Sequence, residues 1–121
     1  MQPEIRRIIA VEAHRRRTGR CPVLVHSLGT GETFDIRPAN DGFLDVTSGL
    51  DVRVADGQIM VPSLRATIDL ALEGDVGFSG YDHMDDEPFS GRAGGGASVT
   101  LYDRGQRDFF QYAVATEGER I

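Results

Sequence analysis

The sequence predicts an α+β fold that is mainly β: an N-terminal helix packed on a small antiparallel β-barrel or sandwich built from successive hairpins. Three observations carry this. From Leu64 to Leu72 the even positions are apolar while Arg65, Thr67 and Asp69 fall between them, the period-two signature of a strand with one buried and one wet face. Turn signals recur at nearly regular spacing and divide the chain into about nine short strands. Helical period occurs only near the N-terminus, so a parallel sheet with crossover helices is disfavoured. A chain of 121 residues suits a single domain, 1–121, with the helix at about 3–17 and the β-region at about 22–115.

The helix opens on Pro3 and Glu4, which suit a first turn, and Ile5, Ile8, Ile9 and Ala13 form its apolar stripe. Arg15, Arg16 and Arg17 lie in its last turn and Gly19 stops it. The isoleucines should dock on the sheet and the arginines face water or a partner. A hairpin follows over 22–37; with Thr30-Gly31 as its turn, Val25 faces Ile36, Ser27 faces Phe34 and His26 opposes Asp35. Phe43 to Val46 is a short strand. The next hairpin turns on Asp56-Gly57, which sets Val54 opposite Ile59 and Val52 opposite Val61 on one face. Leu64 to Leu72 is then the third strand of this meander, followed by a strand at Val76 to Tyr81. Residues 82–96 hold four acids, four glycines and a proline without periodicity, and read as one long loop. The chain closes with a hairpin of Ala97 to Tyr102 and Phe109 to Ala115, then a polar tail over 117–121.

Cys21 is the lone cysteine, so no internal disulfide forms, and a reducing cytoplasmic setting is the simplest reading. No apolar run approaches the roughly 18 residues of a membrane span. All 13 basic residues are arginine. Residues 1–20 carry six of them against two glutamates, whereas the rest carries seven against seventeen acids. An acidic body repels nucleic acid, which is disfavoured as a partner.

Two clusters could form sites. The first is Arg16, Arg17 and Arg20 at the helix end, whose guanidinium forks match phosphate or another small anion. Here Arg16-Arg17-Thr18-Gly19-Arg20 resembles the Arg-x-x-x-Arg segment of PilZ domains, small β-barrels that bind cyclic di-GMP. Their second element, Asp/Asn-x-Ser-x-x-Gly, has a partial counterpart in Asp45-Val46-Thr47-Ser48-Gly49, with serine and glycine out of spacing. That resemblance implies a nucleotide-binding module and adds Asp45 to the ligand set. The second cluster is Asp82, His83, Asp85 and Asp86, read as a partner-contact loop, since the spacing is not that of a calcium loop. A thiol-imidazole pair of Cys21 and His26 lacks a third group, and His26 would simply pair with Asp35.

No catalytic set, metal site or cofactor is expected. The reading is a non-enzymatic interaction or accessory domain, with a protein partner or self-association, and a small-anion or nucleotide-binding module as the alternative.

Overall fold

The computed structural model describes residues 1–119. Helix α1 spans Pro3–Thr18, and ten strands follow: β1 Leu24–Ser27, β2 Thr33–Ala39, β3 Gly42–Asp45, β4 Leu50–Ala55, β5 Gln58–Val61, β6 Ala66–Glu73, β7 Gly77–Asp82, β8 Glu87–Ala93, β9 Ser98–Asp103 and β10 Asp108–Ala115. Each strand pairs antiparallel with its chain neighbours, and β1 pairs with β10, so the ladder is unbroken around a closed barrel. The sandwich alternative therefore falls. Closure leaves no strand edge exposed.

The helix lies inside this barrel. Ten successive residues, Ile5 to His14, are buried, whereas a helix on the outer wall would bury one stripe. The helix packs against β6, β8, β9, β10 and β1, along one arc of the ring, and across it Arg7 reaches Asp45 on β3 and Phe34 on β2. Ten strands enclose more space than side chains alone fill at about eight strands, and the helix occupies it. The expected helix packed on the barrel is present; what is corrected is its one-sided burial, since it is enclosed on every face. The overlooked signal is that Ala10 and Val11 point away from the Ile5/Ile8/Ile9 stripe, so apolar residues surround the axis.

Burial of a charged helix requires counter-charges inside, and Arg6, Arg7 and Glu12 each have one. Glu12 is fully buried and accepts from Arg15 Nε at 2.6 Å, Arg15 Nη2 at 3.0 Å and Arg16 Nε at 2.8 Å. Arg7 donates from Nε (2.9 Å) and Nη2 (2.6 Å) to Asp45, while Arg6 donates to Asp103 at 3.0 Å. The arginines expected to face water are thus engaged within the fold.

Asp45, Asp82 and Asp103 end β3, β7 and β9, each pointing inward and each fully buried. A four-residue turn follows each, closing on a left-handed residue: Gly49 (φ 72°), Asp86 (φ 58°) and Arg107 (φ 55°). Two of the aspartates receive an arginine of the helix. Asp82 receives none; one oxygen accepts the Met84 N–H at 2.9 Å and the other is buried without a partner among the described residues.

The Asp56-Gly57 hairpin forms as expected, with Val54 opposite Ile59 and positive φ at both turn residues. Three local expectations are corrected. The first hairpin pairs Val25 with Phe34 and His26 with Thr33, two residues out from the expected register, because its loop runs over Leu28 to Glu32. His26 therefore bonds Thr33 rather than Asp35. The meander strand begins at Ala66, since Pro62–Leu64 form a 3-10 turn and Arg65 is left-handed (φ 52°). Residues 82–96 are not one loop: 83–86 is a turn and Glu87–Ala93 is β8. There Phe89 lies opposite Gly80 and Phe78 opposite Gly91, each ring covering the glycine of the other strand, where a Cβ would collide with it. The polar tail turns at 117–118; residues 120 and 121 lie outside the described residues.

Arg7→Ala should cost about 3–5 kcal/mol in urea unfolding, because it strands the Asp45 carboxylate, whereas Arg7→Met with Asp45→Leu should recover most of the loss. A single-variant cost below about 1 kcal/mol would show that the pair is not what holds this end together. Burial pushes the Asp82 carboxyl above the usual range. The folded state then holds that proton more tightly than the unfolded chain, so the stability it contributes is present at low pH and lost as pH rises through the folded value. Asp82→Asn should accordingly be more stable than the parent at pH ~7.5, with the gap closing as pH approaches ~4; a less stable variant at the higher pH would refute the assignment.

Candidate functional site

The two barrel ends differ. At the C-terminal end of α1, Arg16 donates to Glu12 and the Leu70 carbonyl, and Arg17 donates to the carbonyls of Ala93 (2.8 Å), Gly74 (2.8 Å) and Gly77 (3.0 Å). These forks stitch the helix to the barrel wall. Arg20 is exposed beyond them. Asp45 lies at the opposite mouth, where Arg7 holds it. The four residues grouped from the sequence as an anion site are therefore not brought together.

The acidic cluster also separates. Asp82 points into the barrel, His83 bonds Asp69 on the outer wall at 2.8 Å, Asp85 pairs with the Met1 amino group at 3.2 Å, and Asp86 bonds the Tyr81 hydroxyl. Gln58 and His83, both bonded to Asp69, hold its carboxyl below the ordinary range. Among the described residues no group of three His, Cys, Asp or Glu could hold a metal ion.

The mouth at the N-terminal end of α1 is open. Its wall is cut short there: β1 has four residues between β10 with eight and β2 with seven. A cavity of about 920 Å³ occupies the gap, within the usual range for small-molecule sites. Arg6, Arg7, Phe34 and Tyr112 are its buried lining, Ser27 and Phe110 flank it, and Leu28, Phe109, Glu32 and Asp108 stand at the rim. Each guanidinium sits over a ring: the Arg6 Cζ is 3.8 Å from the centre of Phe110 and the Arg7 Cζ 3.7 Å from that of Phe34. Their acidic partners sit behind them, so the aromatic faces and the remaining N–H groups are what the cavity offers.

Two polar groups beside this floor bear on its chemistry. The Arg6 Nε is buried without a hydrogen-bond partner among the described residues, although such donors are ordinarily satisfied. The Tyr112 hydroxyl is held protonated, its pKa raised by burial and only partly offset by Arg6. Neither group is a nucleophile. The floor presents hydrogen-bond donors against aromatic surface, which is the chemistry of recognition.

Where a hydroxyl has a base beside it among the described residues, as Thr33 beside His26 at 2.8 Å or Ser79 beside Glu73, it lies outside the lining of the mouth cavity. Of the three histidines, His14 is at the far end of the helix, and His26 and His83 bond Thr33 and Asp69. The Cys21 thiol is pushed up to about 11 by burial. Alkylation of native Cys21 near pH 7.5 should therefore run at least about tenfold slower than in the unfolded chain and accelerate steeply with pH; equal rates would restore thiol chemistry as a candidate.

Arg6 and Arg7 were not singled out from the sequence. The available signal was two charges set between Ile5 and Ile8-Ile9, where a buried helix must pair them. Comparison with protein-family models, curated proteins and solved structures finds no match.

Proposed function

We propose that this protein is a non-enzymatic binding module that holds a small organic molecule in the mouth cavity beside Arg6 and Arg7. The observation that carries this reading is the cavity of about 920 Å³ whose floor joins the rings of Phe34 and Phe110 to Arg6 Nη2 and Arg7 Nη1, guanidinium groups without a hydrogen bond among the described residues. A ligand acceptor meeting such a charged donor gains roughly 1.5–3 kcal/mol. The small-anion alternative thus moves from the helix C-terminus to its N-terminal turns, away from the residues that carried the PilZ resemblance.

An interaction surface is the second reading, and a separate observation favours it. Of the four large apolar side chains exposed among the described residues, Leu28, Val46 and Phe109 belong to this mouth, and Val76 to the other end. Phe109 is 64% exposed and stacks on Tyr102 at 4.8 Å. A protein partner or a second copy could cover that rim.

Ser27→Phe places a ring in the cavity from β1 and leaves Arg6 and Arg7 themselves unchanged. In a thermal-shift screen of amphipathic small molecules, compounds that stabilise the parent should leave Ser27→Phe unmoved; saturation to 100-fold above Kd corresponds to about 2.7 kcal/mol. Equal shifts in both proteins would place the ligand elsewhere. If instead sedimentation shows a dimer that Leu28→Ser with Phe109→Ser dissolves, the interaction reading prevails.

A further inference from the structure

We infer that the ligand of the mouth cavity is a small zwitterion with an apolar, ring-sized body, its anionic end on Arg6 and Arg7 and its cationic end at the rim. This rests on the binding reading above and concerns the class of ligand. The floor and the rim have opposite chemistry. The guanidinium N–H groups at the floor can only donate, and Arg6 Nη2 and Arg7 Nη1 make no hydrogen bond among the described residues. Glu4, Glu32 and Asp108 line the same cavity, and none of them joins an ion pair among the described residues.

Charge balance decides between ligand classes. Arg6, Arg7 and the Met1 ammonium are met by Asp45, Asp85, Glu87 and Asp103, so the floor is already balanced or slightly acidic and the three rim carboxylates leave the mouth net negative. A polyphosphate entering there meets repulsion at the rim with only two already-paired cations beneath. A lone amine satisfies the rim and leaves the Arg6 donor open. A molecule with a carboxylate at one end and an ammonium at the other satisfies both, and its body lies along Phe34, Phe110 and Tyr112.

Calorimetry on the full chain separates these classes with matched probes: phenylalanine and tyrosine as zwitterions, 3-phenylpropionate as the acid alone, phenethylamine as the amine alone and AMP as the dianion. At least one amino acid should bind about tenfold more tightly than either half-molecule, a gap of about 1.4 kcal/mol. Glu32→Gln with Asp108→Asn, both exposed positions, should erase that preference while leaving 3-phenylpropionate binding unchanged or stronger. Tighter binding of 3-phenylpropionate or AMP, an unaffected preference in the rim variant, or no amino-acid binding at millimolar concentration would overturn the inference. Nile red fluorescence keeps the two levels apart: enhancement that Ser27→Phe abolishes upholds the cavity whatever the ligand class, and enhancement that persists in Ser27→Phe removes the cavity reading as well.

Discussion

The structure depends on placing a charged helix inside a closed barrel. A carboxylate or guanidinium in such an interior costs several kcal/mol unless it is paired and hydrogen-bonded. The fold meets that condition at two levels along the axis, with Arg6 and Arg7 on the aspartates of β9 and β3, and Glu12 between Arg15 and Arg16. These contacts also fix how far the helix is inserted and how it is rotated, because Arg6 and Arg7 face different strands. Apolar contacts alone would allow sliding along the barrel; directed ion pairs do not.

The same arrangement explains why one mouth is drawn in around Arg17, with only smaller clefts beside His14 and Val76, and the other holds the large cavity. Arg17 closes its end with three backbone carbonyls, fixed acceptors that exist wherever a strand stops. Arg6 and Arg7 instead stack on rings and pair with side chains behind them, leaving space where β1 stops short. The cavity is thus a product of unequal strand length beside a rigid, charged floor.

Much of the wall was legible in the sequence because its rules are local. The Asp56-Gly57 turn fixes its own register, and the alternation through β6 identifies the buried set Ala66, Ile68 and Leu70. The helix was legible to within a residue of its bounds. What could not be read depends on distant partners. Arg16 and Arg17 look like free cations until Leu70, Gly74, Gly77 and Ala93 supply their acceptors. Strand β8 hides in a polar, glycine-rich stretch because Gly91 is there to admit the Phe78 ring, a reason visible only when β7 lies beside it. The position of the helix was half legible: apolar residues on every face indicate complete burial, but the stripe of isoleucines is the stronger pattern to the eye.

Threading the helix through the barrel also constrains the order of folding. The ladder that closes the wall joins Leu24 to Ala115, near opposite ends of the sequence. A nascent chain extends its helix first and its closing strand last, so Ile5 to His14 stay without their enclosure until nearly the whole wall exists. Non-local closure of this kind gives high contact order and slow, all-or-none folding. Until β10 arrives, the aggregation hazard lies with the helix and with the two open edges at β1 and β9, which are then the segments most in need of shielding during synthesis.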